Sequence, residues 1–346
     1  MDGVPVFTAQ ELSSPERPSS DDTLSGTVLL VDEKGAARPG AMVEVLLRGA
    51  SGIAARAETD ETGAWTLPRP DSDVKVRLRL QNKFWSVQNP STGAPYEWEA
   101  ASGAFQLDPG SANGQIGYIH LQYVDAMGFL SREGVGADWW GKAVAVRYPG
   151  DGDYFTGSQL VLTRAKAWDV NLHEFGHAVM AKGTSSYGGG GYHQISKCYS
   201  QGLAWSEGFA TFFAGAVRLD TGAEDARFEY LAGGITLENL PASVCKGDTN
   251  EWRVAAALWD IYDAHPDGLE AASLPFRRTW DPISGKTLGG FKDAWTFLRP
   301  SLEAGELTAV QGALEQNTLP ERKDRLRPPD LLRDLARPSW DGPVRL

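Results

Sequence analysis

Two histidines and a glutamate in one short run pose the first chemical question. In the segment Asp169-Val170-Asn171-Leu172-His173-Glu174-Phe175-Gly176-His177-Ala178-Val179-Met180, the two histidines stand four residues apart. On a helix that spacing puts both imidazoles on one face, within reach of a single ion. Imidazole suits zinc. Glu174 points to the side of the pair, where it can take a proton from a water that the metal activates. The whole chain has five histidines, so the His-Glu-x-x-His spacing does not come from abundance. Val170, Leu172, Phe175, Ala178 and Val179 around it are uncharged, as a buried helix requires. Asp169 is placed to cap the start of that helix and Gly183 to end it.

A catalytic zinc usually takes three protein ligands and a water. A third histidine in the extended pattern His-Glu-x-x-His-x-x-Gly-x-x-His would fall on position 183, which is Gly183. The third ligand is therefore sought downstream, as a carboxylate on a helix. The run Ala204–Ala214 is mostly apolar and carries one acid, Glu207. A lone buried carboxylate costs several kcal/mol unless it is paired or coordinated, and a metal removes that cost. Gly208 and Ala210 keep this helix slim beside the ion. Between the two ligand helices, the glycine-rich loop Ser185–His193 offers His193 and Tyr192 as donors to a developing oxyanion. Four consecutive glycines there, Gly188 to Gly191, read as a mobile loop and not as a phosphate cradle.

Ligand histidines usually donate their second N–H to a carboxylate or carbonyl. Asp260 and Glu251, on a further helix over 250–264, are the candidates for that supporting role. Cys198 follows the glycine loop and Cys245 follows the Glu207 helix. A bridge between them would pin both loops beside the site, with two buried thiols as the alternative.

The elements that must hold these residues are legible in outline. Helical patterns cover about 169–182, 203–219, 250–264 and 288–303. Strands are expected at 143–148 and 158–162, the latter as a sheet edge along which an extended peptide could lie. Upstream, Thr27–Val31, Ala41–Leu47 and a turn into Leu67 read as short strands. Val74–Leu80 alternates apolar and basic residues. Gly and Pro turns between them indicate a small β-sandwich. The expected organisation is a flexible leader over 1–23, a sandwich over 24–88, a connector over 89–120, a catalytic α+β, mainly helical domain over 121–320 and a Pro-rich basic tail over 321–346. The fold class is thus multidomain.

The chain has 346 residues, 42% hydrophobic and 23% charged, with 45 acidic against 33 basic side chains and a net charge of −12. That balance argues against nucleic acid or an anionic membrane as a partner. No stretch is long and apolar enough to be an integral membrane segment. The N-terminus shows neither the basic nor the apolar region of a signal peptide. Secreted or periplasmic residence is the expectation, with the cytoplasm as the alternative. Two cysteines are too few for a disulfide scaffold. Oligomeric state is not readable.

Two resemblances add to these readings. Residues 24–88, with Gly26-Thr27-Val28 and Thr59-Asp60-Glu61-Thr62-Gly63-Ala64-Trp65, resemble the carboxypeptidase regulatory-like, transthyretin-like sandwich found beside secreted enzymes. Residues 140–265 resemble the gluzincin metallopeptidases, which carry His-Glu-x-x-His on one helix and a glutamate ligand on the next. The resemblance implies a zincin-like domain with one catalytic Zn2+ held by His173, His177 and Glu207, and Glu174 as general base. Glu207 lies 30 residues after His177, a longer separation than in the shorter-spaced gluzincins. The implied activity is hydrolysis of peptide bonds in a protein or peptide substrate, as an endopeptidase. The alternatives are a binding or adhesion protein whose metal is only structural, and a zinc hydrolase of a non-protein amide such as a cell-wall peptide.

Overall fold

The computed structural model describes residues 22–71, 73–100, 103–186 and 191–319. The expected tail over 321–346, Tyr187–Gly190 of the glycine loop, and the expected leader except its last two residues lie outside them.

The N-terminal region is a β-sandwich of two four-stranded sheets. One sheet is built on β1 (Thr23–Val31), flanked by β2 (Ala37–Pro39) and β5 (Ala64–Pro68), with β9 (Gly103–Leu107) running parallel to β1. The other has the order β4 (Gly52–Glu58), β3 (Glu44–Gly49), β6 (Lys75–Arg79), β8 (Glu97–Ala100). Alternation sets the faces. Val76 and Leu78 point into the core with Val45, Leu47 and Trp65. Arg77 and Arg79 point out, 2.9 Å from Glu99 and 2.8 Å from Glu97.

Several details depart from the sequence expectation. The segment 89–120, read as a connector, supplies β8 and β9 and opens the first helix. Trp85–Gln88, read as the end of the sandwich, is β7 of a different sheet. That third sheet has the order β11 (Tyr154–Phe155), β12 (Gln159–Val161), β10 (Val144–Arg147), β7. Strand β10 is parallel to both β7 and β12, and β11 is antiparallel to β12. The strand near 158–162 is therefore interior, and the edge is β11.

Helix α1 (Ile116–Arg132) joins the sandwich to the rest. Its backbone at Gly117 lies against Leu30 and Leu107. His120 is fully buried, with Nε2 2.8 Å from the Ala41 carbonyl and Nδ1 accepting from Trp85 Nε1. Both ring nitrogens are satisfied by the neutral imidazole, and burial holds its pKa down at about 4. Asp125 on α1 receives Arg38 from β2 and Arg218 from the end of helix α3 (Gln201–Arg218). One continuous hydrophobic core runs from Val28 and Leu30 through Trp85 and Phe175 to Phe276 and Leu314.

The C-terminal region is helical: α2 (Trp168–Gly183), α3 (Gln201–Arg218), α4 (Glu251–Tyr262), α5 (Phe276–Trp280), α6 (Phe291–Leu298) and α7 (Ala304–Gln316). The helix expected over 288–303 is shorter, because Pro300 opens a separate 3-10 turn at Arg299–Ser301. Among the described residues, no helix is long and apolar enough to cross a membrane.

Candidate metal centre

Three close-packed helices build the site. A Cβ on Gly176 of α2 would meet Ala210 of α3 at 3.0 Å. One on Gly208 would meet the Glu251 carbonyl of α4 at 2.7 Å. Without side chains at these two positions, the helices approach closely enough for their inward residues to touch. Ser200 caps α3 by accepting from the Leu203 N–H, and Asn250 caps α4 by accepting from the Arg253 N–H. The Asn250 amide also donates to the carbonyls of Ile195 and Lys197 at 2.8 Å, which ties the loop after the glycines to α4.

Asp169 does not act as the cap that its position suggested. Helix α2 starts one residue earlier, at Trp168, and Asp169 is fully buried in its first turn. Its Oδ2 accepts three backbone N–H bonds, from Glu229, Tyr230 and Leu231 at 2.7, 2.7 and 3.1 Å. The carboxylate thereby hooks a distant loop over the start of the histidine helix.

His173, His177 and Glu207 converge. His173 Nε2 and His177 Nε2 are 3.1 Å apart and lie 3.1 and 3.2 Å from Glu207 Oε2. A tetrahedral ion with bonds of about 2.0 Å separates its ligand atoms by roughly 3.3 Å. The three atoms thus fit one zinc ion, and three acceptors crowded together need a cation between them. The other ring nitrogens meet hydroxyls: Thr211 Oγ1 at 3.1 Å from His173 Nδ1, and Ser206 Oγ at 3.2 Å from His177 Nδ1. Burial holds His173 down at about pKa 4, in the neutral form that a metal ligand needs. Burial alone would raise the Glu207 pKa, but the two imidazoles outweigh it and keep the carboxyl well below the usual range.

Glu174 is buried beside this group, and neither of its oxygens finds a donor among the described residues. Burial, reinforced by the charges of Glu207 and Asp153, pushes its pKa well above the ordinary carboxylate value. His193 comes in from the loop. Its Nδ1 is 2.8 Å from Glu251, its Nε2 is 3.7 Å from Glu207, and Nε2 has no hydrogen-bond partner among the described residues. Burial opposes protonation of His193, yet Glu251 and Glu207 raise its pKa overall. A cleft of about 500 Å³, lined among others by Arg164, His173, His193, Tyr230 and Glu251, opens over the cluster.

The structure does not bring every expected residue to the cluster. Tyr192 is 75% exposed on the cleft rim, its hydroxyl 3.4 Å from Gln194. Asp260 faces the opposite end of α4, bonded to Asn317 and Gln316. Glu251 supports His193, not a histidine of the α2 pair. Thr211 and Ser206 hold the positions expected for carboxylates. They were not anticipated, although Thr211 lies four residues after Glu207, on the same helix face. Cys198 and Cys245 are joined by a disulfide, and the N–H of Cys245 bonds to the Ser196 carbonyl, in the same loop that Asn250 holds.

Two histidines and a carboxylate on adjacent helices, with a buried glutamate beside them that has no donor among the described residues, make an arrangement suited to metal-assisted hydrolysis. Residues 135–318, a little over half of the chain, match the Mycolysin C-terminal domain, and the chain belongs to that family. The family points to a zinc metallopeptidase. The match leaves out the sandwich and also strand β7, which the matched region's sheet nonetheless uses. No curated protein matches the chain.

Proposed function

We propose that the protein is a zinc-dependent endopeptidase of zincin-like, gluzincin type, acting outside the cytosol on protein or peptide substrates. One observation carries the reading: three buried ligand atoms within 3.2 Å of one another, with Glu174 beside them bonded by neither oxygen to any described residue. His173, His177 and Glu207 would hold the ion, oriented by Thr211 and Ser206. When bound, zinc supplies Lewis-acid polarisation of the scissile carbonyl and lowers the pKa of water. Glu174 accepts the proton of the attacking water and delivers it to the departing amine. His193, held by Glu251, donates from Nε2 to the developing oxyanion. Glu174 also weighs against a purely structural metal, because it fixes neither histidine. The Cys198–Cys245 bridge supports residence in an oxidising compartment.

The test pairs zinc content with cleavage of an unstructured protein such as casein. Wild type is expected to hold one zinc and to cleave internal bonds. Glu174→Gln is expected to keep the zinc and lose cleavage by about 10³-fold, within the range for a general base. Cleavage that survives Glu174→Gln sinks the reading.

A further inference from the structure

A second group of buried acids lies at the far end of α4, and the peptidase mechanism makes no use of it. Asp260 is in the last turn, Asp263 caps the helix, Asp267 and Glu270 follow in the next loop, and Glu238 comes from the loop before the helix. Glu238, Asp260, Asp263 and Glu270 are each more than nine-tenths buried. One oxygen from each of Glu238, Asp267 and Glu270 lies within 4.8 Å of the other two. Three oxygens at that limiting separation lie about 2.8 Å from their common centre, so a small inward shift brings all three to the calcium–oxygen range of about 2.3–2.6 Å.

The carboxyls meet one another, and among the described residues no Lys or Arg side chain is bonded to any of them. Glu238 is within hydrogen-bonding reach of Asp263, and Asp260 of Glu270. Two oxygens, Asp263 Oδ1 and Glu270 Oε2, are buried with no hydrogen-bond partner among the described residues. One oxygen of each acid is held by a neutral group: Trp259 Nε1 on Glu238 at 2.6 Å, Gln316 Nε2 on Asp267 at 2.5 Å, and backbone N–H groups on Asp263 and Glu270. No Lys or Arg occurs between Arg253 and Arg277 in the sequence. Arg253 shares a cavity with Asp260 and Asp267, but its guanidinium bonds to the Val244 carbonyl. His265 is the remaining titratable group near Glu238.

Carboxylates this close cannot all carry charge without a cation. Burial and mutual repulsion push Asp263 up to about 8 and Glu270 up to about 7. The donors are all hard oxygens, which suit calcium and not zinc. We propose that Glu238, Asp263, Asp267 and Glu270 form a calcium site that fastens the loops on either side of α4 to each other and to the end of α7. It does not depend on the peptidase reading.

The experiment uses the full chain, dialysed into calcium-free buffer that contains micromolar zinc, and titrated calorimetrically with calcium or magnesium. One equivalent of calcium is expected to bind, raising the melting temperature by about 5 °C at a hundredfold excess over Kd, with magnesium weaker. Asp267→Asn and Glu270→Gln are expected to abolish both effects while zinc content stays at the wild-type level. Terbium replacing calcium would sit beside Trp259, so tryptophan excitation is expected to give terbium emission that calcium displaces. That measurement on wild type decides the matter if the variants do not fold. Absence of calcium heat and of displaceable emission, or a response that survives both variants, overturns the proposal and leaves a protonated acid cluster.

Discussion

Helix α4 has buried carboxylates at both ends, and the two ends neutralise them in opposite ways. At its N-terminal end Glu251 meets His193, and nearby Glu207 meets His173 and His177. At its C-terminal end, among the described residues, Asp260 and Asp263 meet only other acids and neutral amides. The side chains are of one type, but the neighbours set the chemistry. Nitrogen donors suit the first end to the zinc proposed there, whereas an all-oxygen set suits the second to the proposed calcium.

Mutations can separate the two ends. Glu207→Gln attacks the first directly: zinc affinity is expected to fall by more than about 100-fold, above the range for supporting residues, and cleavage with it. The calcium-induced rise in melting temperature should survive. If it is lost as well, the ends are not independent. His193→Ala is expected to keep the zinc yet lower kcat by about 100-fold with little change in KM, as for a donor to the transition state. Glu251→Gln should show a smaller loss of the same kind. A KM effect alone would make His193 a substrate contact. Thr211→Val removes the hydroxyl on His173, and zinc binding measured by competition should weaken about tenfold.

The smallest effect sharpens the contrast by pH. Asp263 ionises near 3.8 when unfolded but at about 8 when folded. Its raised pKa favours the folded state below about pH 4, and that contribution disappears as pH climbs toward 8. Asp263→Asn should therefore raise the melting temperature of calcium-free protein at pH 8 by a few degrees and change it little at pH 5. An equal shift at both values would mean that no buried charge was removed.

The sequence revealed the first end of α4 much better than the second, for physical reasons. His173, Glu174 and His177 are fixed by one helical period, and Glu207 is conspicuous as the one acid in an apolar run. The second cluster draws acids from 238 to 270, which approach only because α4 lies between them. Its local trace, a stretch without Lys or Arg between 253 and 277, names no geometry. Helix α1 escaped because it is buried nearly all round, so no apolar stripe marks it, and Gln115 gives it no side-chain cap. Strand β7 escaped because Trp85, Ser86 and Val87 are buried on both faces and do not alternate.

That strand has a practical consequence for taking the molecule apart. Trp85–Gln88 is hydrogen-bonded to β10 in the helical half, while β8 and β9, later in the chain, return to the sandwich. No single cut divides the polypeptide into two intact halves. Cutting after residue 88 strips β8 and β9 from the sandwich, and cutting before 85 leaves them with the helical half. Splitting near residue 112 keeps the sandwich whole but takes a strand from the sheet behind Phe175. Chimeras that borrow only the family-matched stretch inherit an unsatisfied edge at Val144–Arg147, and should be insoluble unless residues from Thr23 onward travel with them.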